Sequence, residues 1–147
     1  MKAIIVSAMI GALALGTAGA APAADKMMMM PACKGVVMNA VGGSGESGCA
    51  VAHAVNGAMV VAISVKGEPP TAIQPSHIHK GVCGSNGPVV VPLTNVVGGK
   101  STTTIPMAKW NMMKGGKYYI NIHKSTSDIP TIVSCGNVPP MAMTTKM

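Results

Sequence analysis

The sequence contains no phenylalanine and no arginine, and it has only one tryptophan and two tyrosines among its 147 residues. A hydrophobic core must therefore be built from Val, Ile, Leu, Met and Ala side chains. After residue 23, ten lysines and four acidic residues leave a net charge near +6. Because these lysines are scattered and arginine forks are missing, the composition favours a solvated basic surface over nucleic-acid binding.

Motifs for phosphate binding and for nucleophilic catalysis are missing as well. The glycine-rich segment GGSGESG (residues 42–48) lacks the strand-then-helix setting that a phosphate-binding loop needs. No motif places a serine or a cysteine beside a base. There are four cysteines and no CxxC pair, the cysteines being Cys33, Cys49, Cys83 and Cys135. In an exported domain they indicate two disulfides, and the sequence leaves three connectivities open.

The first 23 residues have the features of a secretory signal peptide (1–23). Lys2 precedes a continuous apolar run over residues 3–16, and small residues suited to cleavage follow. The run is too short for a membrane span, so we expect a periplasmic or secreted protein without stable membrane insertion. Residues 24–32 and 139–147, both rich in methionine, are expected to be a disordered N-terminus and a loose C-terminal tail.

Residues 33–138 are expected to form one all-β domain. Short apolar runs separated by glycine and proline at intervals of roughly ten residues predict about eight strands, the pattern of a β-sandwich. The dipeptide Asn56-Gly57 predicts a hairpin, because both residues tolerate positive φ. One short helix is expected over residues 107–116, MAKWNMMKGG, with its methionines packed in the core.

Two histidines in the segment SHIHK are separated by a single isoleucine. Side chains alternate along a strand, so His77 and His79 share the face opposite Ile78, about 6–7 Å apart. In the segment YYINIHK the same alternation turns the isoleucines inward and His123 outward. A third histidine from a neighbouring strand completes a three-nitrogen site, and imidazole ligands suit copper and zinc.

Other residues extend or weaken this metal hypothesis. Exposed histidines on strands are ordinary, so the pair alone also fits a surface that binds no metal. His53 is a possible fourth ligand, although packing at a sheet edge is the simpler interpretation. Thioether sulfurs suit Cu(I) and favour copper over zinc, and a run of them is present at Met27, Met28, Met29 and Met30. Such runs also arise by compositional drift.

The same residues resemble two related protein families. HIHKGVCGSNGPVVVPL followed by KYYINIH resembles the chordin-type (CHRD) domain over most of residues 45–125. With IVSCGNV near the end, the chain also resembles copper,zinc superoxide dismutase, which implies a Greek-key β-sandwich. This second resemblance implies copper ligands at His77, His79 and His123 and a second-shell role for Asp128, which would orient neighbouring imidazoles. It also implies a loop-anchoring disulfide between Cys83 and Cys135, which leaves Cys33 and Cys49 as the other bridge.

The sequence departs from the dismutase pattern in two ways. Residues 80–100 contain no histidine or aspartate, so the resemblance does not extend to a zinc site. Ile132 stands where the dismutases place an arginine that attracts the anionic substrate. The leading hypothesis is an exported copper-binding protein for storage, delivery or tolerance, with zinc as the alternative metal. A copper-only, dismutase-like oxidoreductase and a metal-free structural or adhesion module are the other hypotheses, and no protein partner is indicated.

Overall fold

The computed structural model describes residues 32–140 of the chain. The predicted signal peptide, the methionine run at residues 27–30 and the tail from residue 141 lie outside the described residues, so these expectations stay predictions. Within residues 32–140, no helix is both long and apolar enough to cross a membrane.

Eight strands and one short helix follow one another along the described chain. In order they are β1 (Val36–Ala40), β2 (Ser47–Val55), β3 (Ala58–Lys66), β4 (Ile73–Lys80), β5 (Val89–Val97), β6 (Lys100–Pro106), α1 (Met107–Asn111), β7 (Tyr118–Ser125) and β8 (Asp128–Val138). The all-β prediction is confirmed. The helix is shorter than predicted, because the chain turns after Asn111 and reaches a left-handed glycine at Gly115, where φ is 78°.

The strands close into a barrel in the order β1-β2-β3-β6-β5-β4-β7-β8, with every neighbouring pair antiparallel. This closed barrel differs from the sandwich that strand spacing predicted. Two short strand pairings close the barrel. Strand β5 pairs with β6 only at Val97–Lys100, and β1 pairs with β8 at two positions, of which Asn39–Cys135 is the first. Strand spacing does not reveal such pairings, because they depend on how the sheet curves in three dimensions.

The barrel interior is filled mainly by aliphatic and methionine side chains, as the lack of phenylalanine requires. On β4 and β7 the alternation is as predicted, since Ile78, Ile120 and Ile122 are at most 3% exposed. The predicted hairpin between β2 and β3 is also present. Its turn has φ values of 46° at Asn56 and 76° at Gly57, so both central residues are left-handed, as a two-residue hairpin turn requires.

The helix α1 packs against β3 and β6 and adds to the core. Trp110 and Met113 are buried in the same cluster as the strand residues, and Met107 is partly buried against it. Met112 is 81% exposed, so the prediction that the methionines of this segment fill the core is wrong for this residue. Met112 follows Trp110 by two positions, and a step of two residues on a helix turns a side chain to the opposite side.

Both disulfides have the pairing that the dismutase resemblance implies. Cys33 bonds to Cys49 on β2, and Cys83, in the loop after β4, bonds to Cys135 on β8. The bridges span 16 and 52 residues respectively. Constraint of the unfolded chain stabilises a fold by about 3 kcal/mol for the shorter loop and about 4 kcal/mol for the longer one.

Candidate metal centre

Three histidines lie together on the side of β4 and β7 that faces away from the core. The two strands are antiparallel neighbours, with His77 opposite Asn121 and His79 opposite Tyr119. His123 follows two residues after Asn121 and therefore shares its face. This face is not open to solvent, because His79 is 8% exposed and His123 is 6% exposed. The predicted outward direction of the rings is thus combined with burial, which the alternation did not predict.

The three rings converge closely enough to share an ion. One ring nitrogen from each residue lies within 4.8 Å of the corresponding atoms of the other two. Nδ1 of His77 and Nε2 of His123 are 3.0 Å apart. The ring centroid of His79 lies 5.7 Å from that of His77 and 6.3 Å from that of His123. Imidazole nitrogens that bind one ion at about 2.0–2.1 Å lie about 3.3–3.6 Å apart, so small side-chain movements suffice to close the site.

His79 is held in an orientation that leaves one ring nitrogen free. Its Nδ1 donates a hydrogen bond of 2.7 Å to the carbonyl oxygen of Gly87, which can only accept. Nε2 therefore carries the lone pair, and this atom is buried without a hydrogen-bond partner among the described residues. The ring also stacks on Tyr119, with centroids 5.0 Å apart. A fixed second nitrogen is typical of histidines that bind metals.

The loop over the histidines (residues 81–88) is positioned by glycine and by a hydrogen bond to β7. The N–H of Gly87 donates to the hydroxyl oxygen of Tyr119 at 3.0 Å. A Cβ atom on Gly87 would collide with the backbone carbonyl of Lys80, so the close approach of these two backbone segments requires glycine. The carbonyl that orients His79 therefore belongs to a glycine. Any larger residue at position 87 would force the two backbone segments apart.

The disulfide Cys83–Cys135 fastens the same loop to β8. Next to the bridge, the N–H of Cys83 donates to Oδ1 of Asn137 at 2.8 Å. Since Asn137 pairs with Tyr119 across the two strands, this attachment lies directly beside the ring that stacks on His79. The bridge thus limits the movement of the loop that covers the histidines.

Burial favours the uncharged form of two of the three rings, those of His77 and His123. Desolvation lowers the pKa of His77 below its usual value, and the neighbouring His123 and His79 lower it further. Desolvation also lowers the pKa of His123, an effect that the backbone of Ile129 opposes and His79 reinforces. Neutral imidazole is the form that binds metal ions, so burial favours the ligating form of both rings.

The remaining predicted site residues lie apart from the cluster. His53 is exposed on β2, on the opposite side of the barrel from β4, and is not part of the three-histidine group. Asp128 contacts Nζ of Lys124 at 3.5 Å, and a hydrogen bond with Thr131, followed by the effect of Lys124, lowers its pKa. The acceptor that fixes an imidazole is instead the carbonyl of Gly87. The four predicted methionine ligands at residues 27–30 lie outside the described residues.

A cleft of about 320 Å³ opens beside the histidines. His79, Tyr119 and Asn121 line one part of it, and the aliphatic side chains of Ile129 and Ile132 line another. Ile132, which the dismutase resemblance aligned with an arginine, therefore lies at the cleft, where it contributes an apolar wall.

Two further residues beside the cluster were not identified from the sequence. Alternation along β7 placed Asn121 on the face of His123, but it did not show that Asn121 is buried or that its Oδ1 has no partner among the described residues. The dipeptide Asn86-Gly87 signals a turn, yet nothing in the sequence shows that its carbonyl bonds to a histidine. The sequence indicated the local conformation of both residues, whereas their position beside the histidines depends on long-range contacts.

A second buried polar cluster is formed by Glu46 and Gln74. Nε2 of Gln74 donates to both carboxylate oxygens of Glu46, at 2.5 and 2.9 Å. Both residues are at most 2% exposed, and Oε1 of Gln74 has no hydrogen-bond partner in the described part of the chain. Desolvation raises the pKa of Glu46; the hydrogen bond with Gln74 lowers it and the charge of Glu68 raises it.

Comparison with known proteins gives one family match. The family model described as the CHRD domain matches residues 34–128, a segment that begins just before β1 and contains all three histidines of the cluster. No curated protein matches the chain. The match supports the chordin-type part of the resemblance.

Proposed function

The chain belongs to the CHRD domain family, and we propose that it is an exported copper-binding protein in which His77, His79 and His123 hold the ion. One observation carries the proposal: three imidazole nitrogens from two neighbouring strands lie within 4.8 Å of one another. Copper bound there serves storage, delivery or tolerance.

The donor set fits a metal ion of this type. Three neutral imidazoles suit copper and zinc, and for a given nitrogen site copper(II) binds more tightly than zinc. The lone pair on Nε2 of His79 is buried without a partner among the described residues, which is a cost that a bound cation removes. The hydrogen bond from the opposite nitrogen to Gly87 supports this assignment, because it fixes both the tautomer and the direction of the lone pair.

Export is supported by the disulfides. Two bonded cysteine pairs are the pattern of a small domain that folds in an oxidising compartment. We propose removal of the first 23 residues and a periplasmic or secreted location. Mass measurement of the protein purified from its host tests this: a mature chain beginning near residue 21 or 24 is expected, and an intact N-terminus in a cytoplasmic fraction contradicts it.

Copper titration of substituted proteins tests the binding site. A competition titration is carried out on the unsubstituted protein and on the His77→Ala and His123→Ala variants. Loss of an orienting hydrogen bond alone weakens metal binding about 10–100-fold, so loss of a ligand is expected to weaken it at least about 100-fold. His53→Ala is the matched control, because His53 is exposed on the far side of the barrel. Unchanged affinity in both cluster variants rejects the site.

A second candidate function is a copper-only, dismutase-like oxidoreductase. The cleft beside His79 and His123 favours it, because a substrate needs access to the ion. The neighbour pairs β3–β6 and β4–β7, which join strands that are not consecutive, support a Greek-key arrangement of the dismutase kind. Bound copper would supply one-electron redox chemistry, while the chain holds the ion and covers it. Superoxide consumption by copper-loaded protein no faster than by free copper rejects catalysis.

A metal-free structural or adhesion module is the alternative to both functions. Elemental analysis of protein purified from its native compartment separates them. Copper near one equivalent per chain supports the proposal, zinc points to the alternative metal, and absence of both metals favours the structural module.

A further inference from the structure

Asn121 lines the cleft beside the three histidines and has an amide oxygen that no other described residue uses. Asn121 is 1% exposed, and its Oδ1 is buried without a hydrogen-bond partner in residues 32–140. A buried amide oxygen without a donor is uncommon in folded proteins, because it has lost its water and gained nothing in return. Asn121 lines the cleft, so a donor held there lies close to its side chain.

The position of Asn121 places this oxygen at the centre of the histidine face. It lies on β7 between Tyr119 and His123, and it is directly opposite His77 on β4. Side chains that are opposite on neighbouring strands have Cβ atoms about 4.5–5.5 Å apart. A molecule bonded to Asn121 within the cleft therefore lies next to the histidines.

The lining of the cleft disfavours a charged occupant. None of the residues that line it is a lysine, an aspartate or a glutamate, and the wall from the start of β8 is formed by Ile129, Pro130 and Ile132. An anion entering this space leaves water without meeting an opposite charge from the protein. An uncharged molecule has a lower desolvation cost and still gains the hydrogen bond.

We propose that the cleft binds a small uncharged molecule that carries an N–H or O–H group and donates it to Oδ1 of Asn121. When a metal ion is held by His77, His79 and His123, the same molecule is positioned as an additional ligand, and this part of the inference rests on the proposed function. Binding of the molecule in the cleft of the metal-free protein does not depend on the proposed function.

Imidazole and N-methylimidazole are suitable probes at pH 8.5, because both are uncharged and only imidazole has an N–H group. Their binding to the copper-loaded protein is followed by visible absorption. Imidazole is expected to bind about 10-fold more tightly than N-methylimidazole, the effect of one hydrogen bond. Azide, an anion, is added to the metal-free protein, where no copper ion attracts it, and its binding, followed by NMR, is expected to be weaker than that of imidazole. Equal affinity for the two imidazoles, or tighter binding of azide to the metal-free protein, overturns the proposal.

Asn121→Leu keeps a similar shape and removes the acceptor. In this variant the preference for imidazole over N-methylimidazole is expected to disappear while copper affinity is retained. A preference that survives in a folded Asn121→Leu protein contradicts the role of Asn121. Asn121→Asp, which restores an acceptor, is expected to regain the preference and covers the case in which Asn121→Leu does not fold.

Metal-free protein gives a measurement that is independent of copper. Imidazole is expected to shift the NMR signals of the Asn121 side-chain amide and the Gly87 backbone amide, with the His53 backbone amide as the unaffected control. If the protein binds no copper but these shifts are seen, the proposed function fails and the cleft proposal stands. If copper binds but neither shifts nor imidazole preference is seen, the cleft proposal fails alone.

Discussion

The three-histidine cluster and the Glu46–Gln74 pair both use strand β4, yet burial acts on them in opposite directions. Desolvation lowers the pKa of His77 and His123, whereas it raises the pKa of Glu46. The cause is the same in both places, because burial disfavours whichever form is charged. For imidazole the neutral form is also the metal ligand, so burial prepares the cluster for binding.

The two clusters therefore affect stability with opposite dependence on pH. The lowered histidine pKa values contribute stability that is present above the ordinary value of 6.5 and is lost as the pH falls through the folded-state values. The raised pKa of Glu46 contributes stability that is present below the ordinary value of 4.5 and is lost as the pH rises through the folded-state value. At neutral pH the uncharged His77 and His123 therefore contribute to the stability of the fold, whereas an ionised, buried Glu46 lowers it.

Copper affinity should show the largest dependence on pH. Protonation competes with the ion for the imidazoles, so between pH 7.5 and pH 5 copper affinity is expected to fall on the order of 100-fold or more. Because the pKa values of His77 and His123 are lowered, most of the loss should occur below pH 6.5. Competition titration at several pH values measures it, and an affinity that is constant over this range contradicts ligation by these histidines.

Removing the disulfides one at a time tests whether the loop over the histidines matters for the ion. Loss of Cys83–Cys135 through Cys83→Ser and Cys135→Ser is expected to lower the free energy of unfolding by about 4 kcal/mol and to weaken copper binding. Loss of Cys33–Cys49 is the control, expected to lower the free energy of unfolding by about 3 kcal/mol with copper affinity retained. Denaturant unfolding and copper titration provide the two measurements. Equal loss of affinity in both variants would show that the bridge acts only through global stability.

The backbone that orients His79 is tested by Gly87→Ala. The added methyl group collides with the carbonyl of Lys80 and displaces the carbonyl that accepts from Nδ1 of His79. Copper affinity is expected to fall about 10–100-fold, the usual effect of losing an orienting partner. Val82→Ala serves as a control in the same loop, since the side chain of Val82 is 45% exposed. A Gly87→Ala protein that binds copper like Val82→Ala shows that the orienting bond is dispensable.

Glu46→Gln tests the other cluster. The substitution removes a buried charge and provides an amide that can donate to the unpartnered Oε1 of Gln74. Stability at pH 7–8 is expected to rise by about 1 kcal/mol, and the gain should shrink towards acidic pH, where Glu46 is protonated. Denaturant unfolding at pH 4.5 and pH 8 measures both values. A loss of stability at pH 8 means that the ionised carboxylate has a favourable partner.

Asp128→Asn is expected to have the smallest effect. The resemblance to the dismutases assigned Asp128 to the imidazoles, whereas its carboxylate contacts Lys124 at the surface. We expect copper affinity to stay within about twofold and the melting temperature to stay unchanged, because exposed ion pairs contribute little. Copper titration with Lys124→Ala as a companion variant checks this. A loss of copper affinity in Asp128→Asn alone would show that Asp128 contributes to the metal site.

Much of the site was predictable because it depends on local periodicity. The shared face of His77 and His79 and the outward direction of His123 follow from the alternation of side chains along a strand, and the structure has both. Asp128 and His53 show the limit of this reasoning. His53 was considered because of its residue type and Asp128 because of the dismutase resemblance, and neither ground determines which strand lies beside which.

The strands, the Asn56-Gly57 turn and the inward isoleucines could be predicted from the sequence, because they depend on the conformational preferences of adjacent residues. Closure of the barrel, the contact of His123 with His77, the orientation of His79 by Gly87 and the burial of Glu46 against Gln74 could not be predicted in this way. Each of these contacts joins residues from different strands or loops, so each depends on strand order and register, which no short stretch of sequence contains.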